Sequence, residues 1–151
     1  MGRLLVPVAL LAFAAPAAAA VVRPIPRPAL LAIDAKMIGR NYLPTRVTGF
    51  AYTRWSLKGS VLRVDFRSKA GIVVEWRVQP MTGSCDAGMQ KSYQLSGNKV
   101  WWAQSATEQY AWRCVFDQRG QPLRLVAAST APTTKLAAVG LGAVVASAKR
   151  Y

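Results

Sequence analysis

The pattern of apolar and polar positions changes its period along the chain. From about residue 49 to residue 128, apolar side chains recur at every second position, which is typical of strands with one buried face. The alternation is strongest in residues 62–66 and 72–78. Residues typical of turns divide this region at 69–71, 96–99 and 117–120. The pattern predicts a curved antiparallel sheet of about seven strands with one buried face.

Two segments with helical spacing flank the region of alternation. Within residues 29–40, an apolar stripe is formed by Leu30, Ile33 and Met37. Within residues 133–150, a second stripe is formed by Leu136, Val139, Ala143 and Val144. Spacing of three and four residues places side chains on one side of a helix. The predicted fold class is therefore α+β, an antiparallel sheet with one or two flanking helices.

The register of the first predicted hairpin depends on its turn at residues 69–71. One register places Arg63 opposite Glu75, and the other places Arg63 opposite Arg77. Opposite charges across a strand pair stabilise it, whereas like charges destabilise it. We therefore expect Arg63 to pair with Glu75.

A second hairpin is predicted around Gly97–Asn98. This dipeptide at the centre of a two-residue turn suits the positive φ angles that such turns require. The register that follows sets Leu95 opposite Val100 and Tyr93 opposite Trp102. All four side chains then share one face of the sheet.

The N-terminal residues predict export from the cytoplasm. Residues 1–20 contain Arg3, an apolar run from Leu4 to Ala15, and alanines that suit cleavage after Ala20. The apolar run is too short to span a bilayer. Prolines at alternate positions make residues 21–28 an expected extended leader. Residues 29–151 are then a single secreted or periplasmic domain.

Two cysteines are present, Cys85 and Cys114. Disulfides persist in oxidising compartments, and only one intramolecular pairing exists for two cysteines. We therefore predict a Cys85–Cys114 disulfide. With no histidine in the chain and no clustered carboxylates, the sequence predicts no metal site and no cofactor.

The absence of histidine also bears on catalysis. It removes the commonest general base and the nucleophile pairs that depend on one. Asp65 and Glu75 are the only acids predicted on adjacent strands, so a hydrolase using this pair is the least favoured hypothesis. An ion-pair lattice with the arginines around them is favoured there. We expect a protein that is not an enzyme.

The net charge of +14 predicts an anionic partner. Alternation places a basic set on one face, which comprises Arg63, Arg67, Arg77, Lys99, Arg113 and Arg124, with Trp101 among them. Such a face suits an anionic cell-envelope polymer or a lipid, with Trp101 stacking on a ring. A solvated face without a ligand is the alternative. Nucleic acid meets the same electrostatic condition, but the exported location disfavours it.

An aromatic set is predicted on the other face. Its members are Trp76, Tyr93, Trp102, Tyr110, Trp112 and Phe116. A sheet must bury one face to be stable, so these side chains are expected to form a core. The alternative is a half-barrel whose aromatic concave face binds an apolar or lipid ligand.

Several segments resemble a known family. They are Leu43–Pro44, Gly49–Tyr52, Gly97–Trp102, Gln109–Arg113 and a closing segment of small residues. Together they resemble the extracytoplasmic domain at the C-terminus of bacterial anti-sigma factors. That domain is similar to the half-barrels of periplasmic lipoprotein carriers. The resemblance implies a curved antiparallel sheet with helices on its concave side, and a binding or sensing role at the cell envelope.

Overall fold

The computed structural model describes residues 24–85, 91–105, 107–130 and 138–151. The predicted signal peptide and its cleavage position lie outside these residues. Two helices are present, α1 (Arg27–Lys36) and α2 (Ala138–Ser147). The strands are β1 (Tyr42–Leu43), β2 (Phe50–Lys58), β3 (Val61–Ser68), β4 (Val73–Pro80), β5 (Lys91–Leu95), β6 (Asn98–Gln104), β7 (Gln109–Phe116), β8 (Pro122–Ser129) and β9 (Lys149–Arg150). None of the described helices is long and apolar enough to cross a membrane.

The fold is α+β, as the sequence predicts. Seven strands form one antiparallel sheet in the order β2-β3-β4-β8-β7-β6-β5. The sheet is open, with β2 and β5 as its two edges. Strands β2 to β4 form one meander and β5 to β8 form another, and the two meet where β4 pairs with β8. The short strands β1 and β9 form a separate two-stranded ribbon.

One face of the sheet, called the inner face below, carries the main core. Phe66 and Trp76 are 0% exposed there and share a cluster with side chains of both helices. Trp76 Nε1 donates a hydrogen bond to the Tyr42 carbonyl at 3.0 Å. This bond satisfies the polar atom of the largest buried side chain and ties β1 to the sheet.

The helix α1 begins earlier than the sequence pattern indicates. Its first turn contains Arg27 and Pro28. Proline has no backbone N–H, but N–H groups in the first turn of a helix have no partner within the helix, so no hydrogen bond is lost there. Ile25, in the predicted extended leader, is buried in the core. The leader is therefore integrated into the domain from Ile25 onward, while residues 21–23 lie outside the described part.

The helix α2 buries a different stripe from the one predicted. Its buried apolar side chains are Leu141, Val144 and Val145, followed by Ala148 just after the helix. Ala143 is exposed, which contradicts its predicted place on the stripe, and the side chains of Leu136 and Val139 lie outside the described ones. The stripe is shifted because Gly142 faces the sheet. A Cβ at Gly142 would lie 1.8 Å from Tyr93 Oη, so a larger residue there would require the Tyr93 side chain to move.

The hairpin between β5 and β6 differs from its predicted register by two residues. Its central residues are Ser96 and Gly97, with φ angles of 50° and 75°. Positive φ angles at both central residues are typical of a type I′ turn. The turn is therefore centred one residue earlier than the predicted Gly97–Asn98. Tyr93 therefore lies opposite Val100 rather than Trp102, and Leu95 lies opposite Asn98.

The end of α2 is fastened to the segment that follows α1. Asn41 is buried, and its Nδ2 donates hydrogen bonds to Asp34 Oδ1 and to the Tyr151 carbonyl. Thr45 Oγ1 donates a hydrogen bond to the Ser147 carbonyl at 2.8 Å. Together with the β1–β9 ribbon, these bonds hold both helices over the same face.

The predicted disulfide between Cys85 and Cys114 is present. The two Cα atoms lie 5.6 Å apart, which is within the usual range for a disulfide. Met81 Sδ lies 3.9 Å from Cys114 Sγ. The bridge fastens the chain that follows β4 to the middle of the sheet at β7.

Replacing both cysteines by serine is expected to lower the free energy of unfolding by about 3 to 4 kcal/mol, because the bridge closes a long loop in the unfolded chain. The bridged residues are 29 positions apart. Urea denaturation of the wild type and the double variant measures the loss. Dithiothreitol should shift the wild-type midpoint and leave the double variant unchanged; equal midpoints without reductant would contradict the prediction.

Candidate functional site

The face opposite the helices, called the outer face, is organised in rows of directly opposite residues. The central row runs from β2 to β5 and consists of Ser56, Arg63, Arg77, Val126, Trp112, Trp101 and Ser92. The next row on one side, called the acidic row, consists of Arg54, Asp65, Glu75, Ala128, Tyr110 and Ala103. Since side chains alternate between faces, members of these rows point to the same side.

This arrangement places the side chains of β7 on the opposite faces from those predicted. Ala111 lies opposite Ala127, and Arg113 lies opposite Leu125. Ala111, Ala127 and Leu125 belong to the inner core, so Arg113 is on the inner face. Its place in the predicted basic set is therefore wrong. The even-numbered residues of β7 take the outer face.

The predicted aromatic set is divided between the two faces. Trp76 and Tyr93 belong to or pack against the inner core, and Trp102 lies opposite the inner residue Ala111. The β7 aromatics take the outer face, and they are Tyr110, Trp112 and Phe116. The six residues therefore do not form one concave surface. A half-barrel that binds an apolar ligand would therefore not have all six aromatic side chains on its concave face.

Arg113 instead joins β7 to the end of α2. Its guanidinium donates hydrogen bonds to Asn98 Oδ1 and to the Ala148 carbonyl. Burial lowers the pKa of Arg113, although a guanidinium remains protonated at neutral pH. A cation beside the last carbonyls of a helix is stabilised by their partial negative charge. Arg113 is thus a structural residue of the inner face.

A stacked pair of tryptophans covers the outer face of β6 and β7. The ring centres of Trp101 and Trp112 are 6.1 Å apart, with planes 14° from parallel. Lys99 Nζ lies 4.9 Å from the centre of the Trp101 ring, and the Arg124 guanidinium lies 5.6 Å from that of Trp112. Trp101 is 8% exposed and Trp112 is 4% exposed. Trp101 therefore serves the packing of this face, and stacking on a ligand ring is disfavoured.

The ionic half of the outer face lies on β2, β3 and β4. Arg63 is directly opposite Arg77, so the preferred Arg63–Glu75 register is wrong. Glu75 instead lies diagonal to Arg63 and joins both arginines: Arg77 Nε lies 2.9 Å from its Oε1, and Arg63 Nη1 lies 3.8 Å from its Oε2. Glu108 approaches Arg77 Nη2 to 2.7 Å. One carboxylate between two guanidinium groups offsets the like-charge contact.

Asp65 and Glu75 are directly opposite each other, as adjacent strands allow. Asp65 Oδ2 accepts a hydrogen bond from Arg54 Nε at 2.7 Å. Each carboxylate therefore has an arginine partner on an open sheet face, which is the ion-pair lattice expected from the sequence.

A third row, called the basic row, lies on the other side of the central row. Arg124 is opposite Cys114, and Lys58 is opposite Val61. Lys99 is two residues before Trp101, so it lies level with Cys114.

We call the cations of the central and basic rows the basic band: Lys58, Arg63, Arg77, Lys99 and Arg124. Arg67, the remaining member of the predicted set, lies beyond the acidic row and is exposed.

A cavity of about 450 Å³ lies at the end of the sheet nearest the basic row. It lies between the end of α1, the β2–β3 turn and the β7–β8 turn. Its cationic lining residues are Lys36, Arg40 and Arg119, and its one acid is Asp117. Lys36 and Arg40 come from the end of α1 and the turn after it, and Arg119 comes from the β7–β8 turn, so no local pattern in the sequence indicates all three as a group.

Asp117 organises the β7–β8 turn. Its Oδ1 accepts hydrogen bonds from the backbone N–H groups of Arg119 and Gln121, each at 2.8 Å. Arg40 Nε lies 3.5 Å from Oδ2. The bond from Gln121, with smaller effects from Arg119 and Arg40, lowers the pKa of the Asp117 carboxyl. The buried carboxylate is therefore engaged by the turn and by one neighbouring cation.

Comparisons with family models, curated protein sequences and solved structures find no match to this chain. The resemblance to anti-sigma factor domains therefore stays an expectation. Among the described residues, no group of three or more acids, cysteines or histidines is placed to hold a metal ion.

Replacing Arg113 by methionine is expected to destabilise the fold by about 1.5 to 3 kcal/mol, because the Asn98 and Ala148 oxygens lose a charged donor. Urea denaturation measures the change. Arg67→Met, on the exposed outer face, is the matched control and should change stability by less than about 0.5 kcal/mol. Equal effects of the two variants would show that Arg113 does not fasten α2.

The lowered pKa of Asp117 predicts a specific pH dependence. Its folded-state pKa lies below that of the unfolded chain, so its contribution to stability is present above about pH 4 and is lost as the pH falls through the folded-state pKa. Asp117→Asn keeps an acceptor oxygen but removes the charge. Urea midpoints should differ between wild type and variant at neutral pH and converge in acid; a constant difference would contradict the assignment.

Proposed function

We propose that this protein is a non-enzymatic binding module of the secreted or periplasmic space, and that its basic band binds an anionic partner. An anionic polymer of the cell envelope is the partner class that we favour. The observation that carries the proposal is the alignment of the band across the outer face in two rows. The central row forms ion pairs with Glu75 through Arg63 and Arg77, and the basic row lies one row farther from Asp65 and Glu75.

The shape of the band favours an extended partner over a single ion. Its cations lie on five of the six strands from β2 to β6 in the sheet order. With neighbouring strands about 4.8 Å apart, the band spans roughly 24 Å. Lys58 and Lys99 are exposed, as is nearly half of the Arg63 side chain. A polymer with regularly spaced anionic groups can contact several of these cations at once, whereas a small ion contacts one or two.

The charge distribution supports attraction over a distance. The chain has 20 basic and six acidic residues. On the described strands of the outer face, the acids Asp65 and Glu75 lie in a single row beside arginines. The opposite side of the central row therefore has the stronger positive potential, and such potentials steer oppositely charged partners.

The compartment and the absence of catalysis are supported by separate features. The Cys85–Cys114 disulfide favours an oxidising location, as does the predicted signal peptide. The lack of histidine and the arginine partners of Asp65 and Glu75 favour binding over hydrolysis.

The test is retention on a heparin column, which presents a sulfated polymer, followed by retention on purified anionic cell-wall polymer. We expect the triple variant Lys58→Gln, Arg63→Gln, Lys99→Gln to elute at clearly lower salt than wild type. Since each contact releases counterions, the slope of log affinity against log salt should fall by about 2 to 3. All three positions are exposed, so folding should be preserved.

The matched control removes three positive charges elsewhere, by Arg27→Gln, Lys69→Gln and Lys91→Gln, which are also exposed. It should elute close to wild type. If both triple variants elute together, retention depends on net charge alone and the basic band is not the binding surface. Retention that does not respond to salt would also reject an electrostatic partner.

A further inference from the structure

The cavity at the end of the sheet combines positive charge with an apolar wall. Its volume of about 450 Å³ lies within the range of small-molecule sites. Beside Lys36, Arg40 and Arg119, the lining includes Met37, Ile38 and Leu57.

The single acid in the cavity does not neutralise the three cations. The Asp117 carboxylate is 3% exposed and already accepts two backbone hydrogen bonds. Its ion pair with Arg40 is made through Nε at 3.5 Å, and the Arg40 side chain is 38% exposed. Lys36 and Arg119 are exposed. Donors therefore remain available for an anionic group, which charged hydrogen bonds hold strongly.

One residue of the apolar wall is unusually exposed. Ile38 is 79% exposed, the largest value among the described large hydrophobic residues. It directly precedes Gly39, whose φ of 74° ends the turn after α1. A Cβ at Gly39 would lie 2.9 Å from Gln118 Oε1. The positive φ favours glycine at this position, and the Gln118 side chain packs against it, so the segment with Ile38 and the turn with Arg119 line one cavity.

We propose that this cavity is a binding site for an organic phosphate: the phosphate binds Lys36, Arg40 and Arg119, and its apolar substituent contacts Ile38, Met37 and Leu57. The site shares no residue with the basic band, and it does not depend on polymer binding there. A phosphate is the anion that best uses several donors at once, since its oxygens accept from both guanidinium and ammonium groups.

The test is isothermal titration with two probes, inorganic phosphate and hexyl phosphate. Each methylene that becomes buried strengthens binding by about fourfold, so hexyl phosphate should bind at least about tenfold tighter. Ile38→Ser should remove most of that advantage and leave inorganic phosphate binding unchanged. Because Ile38 is exposed, the substitution should not affect folding.

The charge requirement is tested with Lys36→Gln combined with Arg119→Gln. This variant should bind hexyl phosphate at least about tenfold more weakly, because two charged donors are lost. The matched control, Arg27→Gln with Lys69→Gln, removes the same charge from exposed positions outside the cavity lining and should bind like wild type. Equal affinities of the two double variants, or no saturable binding of hexyl phosphate, would overturn the proposal.

Sedimentation with phosphatidylglycerol vesicles distinguishes two sources of the phosphate. If the natural ligand is a lipid headgroup, vesicle binding should be lost in the cavity variant and retained in the control. If it is a soluble organic phosphate, the two variants should sediment equally while hexyl phosphate binding still differs. Both outcomes support the site, and neither depends on heparin retention by the basic band.

Discussion

The pairing of β7 with β8 determines which chemistry each face of the sheet presents. Side chains alternate with a period of two, so a shift of one residue would exchange the faces of the whole strand. Ala111 opposite Ala127 places small residues under the helices. The same register turns Trp112 and Cys114 outward and Arg113 inward. The core, the disulfide and the tryptophan stack all follow from this one alignment.

Helix α2 is held on the inner face of the sheet by the packing of small side chains and by one charged hydrogen-bond donor. Ala111 and Ala127 are fully buried and small, which lets α2 pack against the centre of the sheet. Gly142 admits Tyr93 beneath the helix. Arg113 then binds the carbonyl that follows α2. A buried guanidinium is costly unless it is hydrogen-bonded, so its two oxygen acceptors make it specific for this position of the helix.

The sequence predicts the strands and the disulfide well, and it fails where tertiary contacts decide. Alternation identifies the buried face of β3 and β4 because only one face is covered there. On β7 and β8 both faces are largely buried, so alternation no longer indicates which side is inner. The cavity could not be predicted, because Arg119 meets Lys36 and Arg40 only after the sheet and α1 have packed.

The distribution of charge connects the fold to binding. A chain with a net charge of +14 is destabilised by repulsion among its cations. Asp65, Glu75 and Glu108 relieve that repulsion around Arg54 and Arg77 on one side of the outer face. The basic row and the cavity, by contrast, crowd cations at one end of the sheet. Solubility does not require the cations to be close together, because the same net charge spread over the surface keeps the protein soluble with less electrostatic repulsion. An anionic ligand at this end would supply the missing negative charge, and this is the physical argument for binding there.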